Sequence, residues 1–280
     1  MKLTKYIFVT LALGCGMFLP SCEEFEAANE NPNNPETVSS NYILTYVLTG
    51  TATTVYRLGA EGSNIAGAMQ YIQRGTNEGA SDANYYQWEP ESWTPYYDVL
   101  RNTKIIYDNA AKEENNFFKG IALVMRAYVF GLLTDLYGDV PYSEALQAND
   151  GTFFPKYDRQ QDVYKGILED LREANVLLSS LDADDRVDAA SDILYKGDAV
   201  KWRKFANSLR LRYALRLSPK RTEMSAAGID IVQEFKDAAP GAFTDNGDNA
   251  VLPFLGITPE SSTVGGPLNS TNPFYSAKPG

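Results

Sequence analysis

The segment between residues 116 and 137 constrains the fold more than any other part of the sequence. It reads NFFKGIALVMRAYVFGLLTDLY, and from residue 121 to 136 it is apolar on almost every helical face. A helix without a polar face must be buried among other helices. The segment is too short and too interrupted to span a membrane, because a spanning helix needs about 20 apolar residues. The sequence therefore predicts a large all-α core around it.

Arg126 interrupts this apolar segment, together with Thr134 and Asp135. A guanidinium in such a helix needs a charged partner or a route to water. We expect a structural ion pair, and a functional role for Arg126 is the alternative.

Three further segments have helical periodicity: residues 94–112, 159–181 and 199–217. Each places apolar side chains three or four positions apart, which is typical of a helix with one buried face. The predicted buried faces are Tyr96, Val99, Leu100, Thr103, Ile106 and Tyr107 in the first segment, Val163, Ile167, Leu171, Ala174, Leu178 and Leu181 in the second, and Trp202, Phe205, Leu209, Tyr213 and Leu217 in the third.

Polar residues at the starts of these segments predict helix caps. Thr94 or Ser92 caps the first helix. Asp158 and Gln161 have the spacing of a capping box for the second. Asp198 is the predicted N-cap of the third.

The segment 199–217 also carries a row of cations opposite its apolar face. We expect a solvated face that pairs with carboxylates such as Glu169, Asp170 and Glu173. An anion-binding site is the alternative. The cations are Lys201, Arg203, Lys204, Arg210, Arg212 and Arg216.

The four helices form two helix-turn-helix pairs separated by an insert. The pairs begin near residues 94 and 158, which is close to two periods of the tetratricopeptide repeat, about 34 residues each. No strand pattern of comparable length appears, and residues 240–280 are rich in Gly, Pro, Ser and Asn. The predicted fold class is all-α, a tetratricopeptide-like helical repeat scaffold with long irregular loops.

The N-terminus predicts export and lipidation. Lys2 and Lys5 precede an apolar run at residues 6–19, which is typical of a secretory signal. Leu19-Pro20-Ser21-Cys22 is similar to a bacterial lipobox, so Cys22 is the predicted lipidation site. We expect a signal peptide at residues 1–21, a flexible acidic tether at 22–40 and the helical domain at 41–280. The alternative is an ordinary signal peptide that leaves Cys22 as a free thiol.

Composition excludes several classes of site. The chain has no histidine, so a Ser-His-Asp triad, a Cys-His pair and a histidine zinc site are impossible within it. The formal net charge of −11 argues against nucleic acid or anionic lipid as a partner. We expect no cofactor, no metal and no enzymatic activity. A glycoside hydrolase stays open as a weaker alternative, because it needs only two carboxylates.

The stretch DNGDN at residues 245–249 has oxygen-rich spacing that suggests calcium. A calcium loop of the EF-hand type beginning at Asp245 would need a glutamate where Gly256 stands. We therefore expect a turn at this position.

Several motifs together resemble one known family. The stretches RAYVFGLLTDLYGDVPYSEA at 126–145, YDRQQDVYKGILEDLREANVLL at 157–178, KWRKFANSLRLRYALR at 201–216 and DNGDNAVLPF at 245–254 occur in its order and spacing. The chain resembles the SusD/RagB family of nutrient-binding outer-membrane lipoproteins. Members are commonly longer, and this chain stops before the second half that completes the fold and part of the ligand face.

The resemblance implies a function. Family members sit on the cell surface over a TonB-dependent (SusC-like) outer-membrane transporter and capture oligosaccharides, or peptides in some branches. They are not enzymes. A module that only docks on the transporter, without a glycan site of its own, is a further alternative.

The aromatic stretch YYQWEPESWTPYY at 85–97 contains the candidate ligand site. Trp93, Tyr96 and Tyr97 fall at a helix start and are predicted to be core. The residues before them lie in a polar loop, where aromatic rings can stack on sugars and amides can bond hydroxyl groups. Tyrosines that merely cover a helix end are the alternative. The candidate ligand-binding residues are Asn77, Asn84, Tyr85, Tyr86, Gln87 and Trp88.

Overall fold

The computed structural model describes residues 38–60, 69, 72–74, 92–252 and 277–279, and its helices fall within the compact unit Ser39–Gly280. Helices α1 to α7 are Ser40–Ala60, Thr94–Lys112, Asn116–Tyr137, Gln160–Leu177, Ala199–Leu217, Arg221–Ala226 and Ile231–Ala238. Short 3₁₀ turns occupy Ala148–Asp150, Ser218–Lys220, Ala239–Gly241 and Asn246–Asp248. Strands β1 (Ile72–Arg74) and β2 (Ala277–Pro279) pair antiparallel, with Gln73 opposite Lys278.

The long helices pack in chain order. Helix α1 packs on α2, α2 on α3, α3 on α4 and α4 on α5, while α5 also packs against α7. Consecutive helices that stack on their neighbours are the arrangement of a helical repeat. The predicted all-α, tetratricopeptide-like scaffold is confirmed.

Helix α3 is the centre of this array, as its composition predicts. Its side chains Ile121, Leu123 and Leu133 have no exposed surface. By length and composition α3 is the one helix in the described part of the chain that could cross a membrane, but 78% of its apolar window is buried inside the protein. It is a core helix.

The predicted interior faces of the other helices are confirmed at most positions, whereas Tyr107, Leu181 and Phe205 are only partly buried. Trp202 and Tyr213 of α5 are fully buried, and Val163, Ile167 and Leu171 of α4 have no exposed surface. Residues 94–112, 116–137 and 199–217 are helical over the predicted ranges, whereas α4 ends at Leu177 and is shorter than predicted.

Two of the three predicted caps are wrong. No side chain caps α2, since the Ser92 hydroxyl accepts a hydrogen bond only from Thr94 N at 3.2 Å. The carboxylate of Asp158 does not cap α4, because it accepts hydrogen bonds from the backbone of Tyr142 and Ser143 instead. Asp198 caps α5 as predicted, accepting from Val200 N and Lys201 N.

The ion pairs correct one prediction and confirm another. Arg126 pairs with Asp170 on α4, which is the expected structural ion pair. The cations of α5 do not pair with Glu169, Asp170 and Glu173. They reach other carboxylates, through the pairs Lys204–Asp248, Arg210–Glu234 and Arg216–Asp135. The prediction of a solvated face is also wrong at Arg210, which is buried.

Helix α1 was not predicted. It begins at Ser40, the last residue of the predicted tether, and buries Ile43, Leu44, Val47 and Leu48 against the core. The helical unit therefore begins with a full-length helix of 21 residues before the first predicted repeat.

Candidate functional site

The candidate ligand-binding residues Asn77, Asn84, Tyr85, Tyr86, Gln87 and Trp88 lie outside the described residues, as does Cys22. The structure begins to describe this part of the chain at Ser92, just before α2. Their roles stay predictions. In this part of the chain, the structure describes only the residues that follow them, from Ser92 onward.

The second half of the aromatic stretch is core, as predicted. Tyr96 is buried, and Trp93 and Tyr97 pack against the core. The Trp93 ring lies edge-on to Tyr97 and Tyr137, with centroid distances of 5.9 and 5.8 Å. The Tyr97 hydroxyl donates a hydrogen bond to Pro141 O at 2.7 Å, and burial raises the pKa of this tyrosine well above its ordinary value. This cluster joins the start of α2 to the chain that leaves α3.

The chain between α3 and α4 forms a loop that is closed at its base. Helix α3 ends at Tyr137 and is followed by Gly138, whose φ of +75° is a conformation that glycine adopts without strain. Val140 and Asp158 then exchange two backbone hydrogen bonds of 3.2 and 3.0 Å. These bonds fix the two ends of the loop against each other.

Side chains hold the interior of the loop. The carboxylate of Asp158 accepts from Tyr142 N, Ser143 N and the Ser143 hydroxyl at 2.7–3.1 Å. Burial alone would raise the pKa of Asp158, but these hydrogen bonds hold it below its ordinary value. Glu144 accepts from the backbone N–H of Lys156 and pairs with its ammonium at 3.0 Å. The loop is therefore fixed at several points along its length.

This fixed loop presents three aromatic side chains to solvent. Phe153 is 70% exposed, Phe154 is 95% exposed and Tyr157 is 61% exposed. We refer to these three residues as the aromatic tip. The ring of Tyr157 lies 5.8 Å from that of Trp93 at a tilt of 44°. Loops held on a rigid scaffold often carry binding residues, so these three exposed side chains are a candidate interaction site.

Sequence reasoning missed the aromatic tip. The signal was present as TFFPKY at 152–157, two adjacent phenylalanines between two predicted helices. Periodicity does not reveal it, because the segment is neither helix nor strand. Tyr157 of the aromatic tip lies at the same end of the array as Trp93. The candidate ligand-binding residues precede Trp93 in the chain.

The helical unit begins at the opposite end. Asn41, near the start of α1, accepts a hydrogen bond from Asp188 N. Asn115, at the turn between α2 and α3, donates one to the carbonyl of Arg186, two positions before Asp188. The start of α1 thus shares an end with the end of α2. Helix α2 has 19 residues, so about 28 Å separates this end from Trp93 and the aromatic tip.

The DNGDN stretch forms the predicted turn. Asn246–Asp248 is a 3₁₀ turn, and the carboxylate of Asp248 pairs with Lys204 at 2.8 Å. In the parts of the chain that the structure describes, no group of three or more Cys, Asp or Glu side chains is placed to hold a metal ion.

The sequence matches one known protein family. A protein family described as "Starch-binding associating with outer membrane", the SusD-like family, matches residues 32–273. A comparison with curated proteins gives no match.

Solved structures of SusD homologues share the fold. One from Bacteroides fragilis is 32% identical, with a TM-score of 0.63, over 78% of this chain and 44% of that chain. A SusD/RagB family protein from Bacteroides thetaiotaomicron is 30% identical, with a TM-score of 0.60, over 76% and 45%. A chitin-binding protein is 29% identical, with a TM-score of 0.60, over 76% and 45%.

This chain thus spans less than half the length of those relatives. The family match itself covers most of the chain, and the TM-scores of about 0.6 show that the solved structures share its fold. The chain belongs to the SusD-like family of starch-binding proteins that associate with the outer membrane.

Proposed function

We propose that this protein binds oligosaccharides at the surface of the outer membrane and delivers them to a TonB-dependent, SusC-like transporter. The observation that carries the proposal is the aromatic tip, three exposed aromatic side chains on a loop fixed by hydrogen bonds, in a chain of a starch-binding family. The similarity to a chitin-binding protein supports the same ligand class.

The proposed recognition is stacking assisted by hydrogen bonds. Aromatic faces suit the apolar C–H faces of sugar rings, and side-chain amides bond the hydroxyl groups. Tyr157 contributes from the aromatic tip, while Trp88, Tyr85 and Tyr86 contribute from the polar loop. Amides in that loop, Asn77, Asn84 and Gln87, are the proposed hydrogen-bonding partners.

Chain length supports placing Trp88 close to the start of α2. Trp88 lies four positions before Ser92, and an extended chain spans at most about 3.6 Å per residue. The Cα atom of Trp88 is therefore within about 14 Å of that of Ser92, the neighbour of Trp93. Trp93 in turn contacts Tyr157.

The proposed location is the outer membrane, with the protein held by lipid on Cys22 and facing the exterior. Two or more acyl chains give stable anchoring, and the acidic segment after Cys22 suits a flexible tether.

The proposed mechanism is binding and release, with no bond in the ligand broken. A glycoside hydrolase would release reducing ends from a bound glycan. Incubation of the full chain with maltoheptaose and chitohexaose, followed by a reducing-end assay, should show no increase over a blank. Accumulation of reducing ends would refute the non-enzymatic mechanism.

Calorimetric titration tests the binding function directly. The full chain, purified in detergent, is titrated with maltoheptaose, chitohexaose and a peptide mixture. We expect saturable binding of one glycan, weakened at least fivefold by Trp88→Ala or Tyr157→Ala, which corresponds to about 1 kcal/mol. Tyr46→Ala is the matched control, because Tyr46 is a half-exposed tyrosine on the distant helix α1. Binding of peptides alone would overturn the ligand class, and unchanged affinity in both variants would overturn the site.

A second candidate function is that of a transporter partner, and Phe154 favours it. A phenylalanine that is 95% exposed projects from the surface like the apolar anchors of protein interfaces. The double variant Phe153→Ser/Phe154→Ser separates the two functions. Loss of co-purification with a TonB-dependent transporter identified by mass spectrometry, with glycan affinity retained, would assign the two phenylalanines to the transporter.

A further inference from the structure

A groove of about 320 Å³ lies beside the end of α3, apart from the aromatic tip. The start of α4, the end of α5 and the short helix α6 form its walls. Its volume is at the lower end of the range for small-ligand sites, about 300–1,000 Å³. The lining residues are Asp135, Gln160, Gln161, Tyr164, Arg216, Leu217, Lys220, Glu223 and Met224.

The base of the groove is apolar and rigid. Leu217 and Met224 are buried, and so is the ring of Tyr164, whose hydroxyl donates to Asp135. Gln160 is fixed by a hydrogen bond from its amide to Thr134 O at 2.7 Å. The groove therefore keeps its shape without a ligand, which lowers the entropic cost of binding.

The rim carries charges in opposite pairs. Arg216 pairs with Asp135, and Lys220 pairs with Glu223 at 3.2 Å. The Glu223 backbone N–H and Lys220 hold the pKa of the Glu223 carboxyl below its ordinary value. The four charged residues sum to zero, so the rim's own charge favours neither an anion nor a cation.

Such a rim matches a neutral ligand with many hydroxyl groups. A hydroxyl both donates and accepts hydrogen bonds, and the paired side chains retain unused donors and acceptors on both sides. Arg216 and Lys220 supply N–H groups, the carboxylates supply oxygen lone pairs, and the Gln161 amide supplies both. Among the described residues, the Gln161 side chain makes one hydrogen bond, a long one of 3.4 Å to Glu223 O, so its amide is easily redirected to a ligand.

We infer that this groove is a second contact site for a neutral sugar residue of the oligosaccharide, separate from the aromatic tip. The inference rests on the proposed glycan-binding function. The groove and the aromatic residues around Trp93 lie at the same end of α3, since Asp135 lines the groove and Tyr137 contacts Trp93. An oligosaccharide that is bound at the aromatic tip can therefore also contact the polar rim of the groove, on the other side of the helix.

The double variant Gln161→Ala/Lys220→Met tests the groove, and Gln233→Ala/Lys236→Met is the matched control. The control removes the same two side-chain types from exposed positions of α7. The full chain in detergent is titrated calorimetrically with maltoheptaose and chitohexaose. We expect the groove variant to lose at least fivefold in affinity for the bound glycan, while the control stays within twofold of the native chain.

Three outcomes are distinguishable. A selective loss in the groove variant, with an unchanged circular dichroism melting temperature, supports the inference. If the native chain binds a glycan and the groove variant binds it with the same affinity, the inference is overturned and the proposed function stands. Absence of binding of both glycans to the native chain overturns both. If the double variant melts at a lower temperature, the single variant Gln161→Ala decides by the same affinity criterion.

Discussion

Arg126 of α3 and Asp170 of α4 form a two-point ion pair, with Nε 2.7 Å from Oδ2 and Nη2 2.5 Å from Oδ1. Asp170 is buried, and the guanidinium of Arg126 lies over the ring of Tyr107 at 5.5 Å. The pair joins the two helices at the centre of the array. It also explains how a helix that is apolar on nearly all faces tolerates an arginine.

Arg126→Met should destabilise the protein by about 3 kcal/mol, because it leaves the buried carboxylate of Asp170 without its partner. Urea denaturation followed by circular dichroism measures the change. The double variant Arg126→Met/Asp170→Leu should lose less than the sum of the single variants, since no unpaired charge remains. Simple additivity of the two single losses would contradict the coupling.

Asp192 organises the turn before α5. It has no exposed surface, and its carboxylate accepts from the Trp202 indole at 2.8 Å and from the backbone of Tyr195 and Gly197 at 3.0 and 2.8 Å. Asp192→Ala should cost about 2–3 kcal/mol, because buried donors lose their acceptor. Ser225→Ala, at an exposed position of α6, is the control and should change stability by less than about 0.5 kcal/mol. A loss in Asp192→Ala no larger than in this control would contradict the assigned role.

Gly131 lets α3 and α5 approach each other. A Cβ atom at this position would overlap the hydroxyl and ring of Tyr213, which is buried. Gly131→Ala should therefore destabilise by about 1–3 kcal/mol through overpacking, despite the better helix propensity of alanine. Thermal and urea unfolding measure it. Adding Tyr213→Phe removes the hydroxyl and should recover part of the loss, whereas no recovery would place the strain elsewhere.

Helix positions with strong periodicity were predictable from the sequence, and α2, α3 and α5 have the predicted bounds. Helix α1 was not, because its many threonines and Gly50 have weak helix propensity. The fold overrides that preference in two ways. Thr49, Thr51 and Thr54 turn their hydroxyls back to carbonyls of the preceding turn, and four apolar side chains pack against the core.

Polar partners were harder to predict, because they depend on tertiary contacts. Asp158 has the sequence context of a helix cap. Its carboxylate instead accepts a hydrogen bond from Ser143 N, 15 positions away in the chain. The cations of α5 reach Asp135, Glu234 and Asp248, which are distant in sequence. The aromatic tip was missed for the same reason, since the exposure of Phe154 follows from how the loop is fixed and not from its composition.

The last prediction concerns acid stability and rests on Asp248. Lys204 and the backbone N–H of Thr244 hydrogen-bond its carboxylate and lower its pKa from 3.8 to about 2. A carboxyl with a lower pKa in the folded state stabilises the fold above its unfolded pKa. That contribution is lost as the pH falls from 3.8 through about 2.

The comparison of the native chain with Asp248→Asn isolates this effect. The native chain should have the higher melting temperature at about pH 6, and the difference should shrink as the pH falls below about 4 and approach its minimum near pH 2. Lys204→Met provides the matched control. It removes the main cause of the lowered pKa, so the pH dependence of its melting temperature should resemble that of Asp248→Asn. A difference between the native chain and Asp248→Asn that stays constant from about pH 6 to 2 would contradict the assigned pairing.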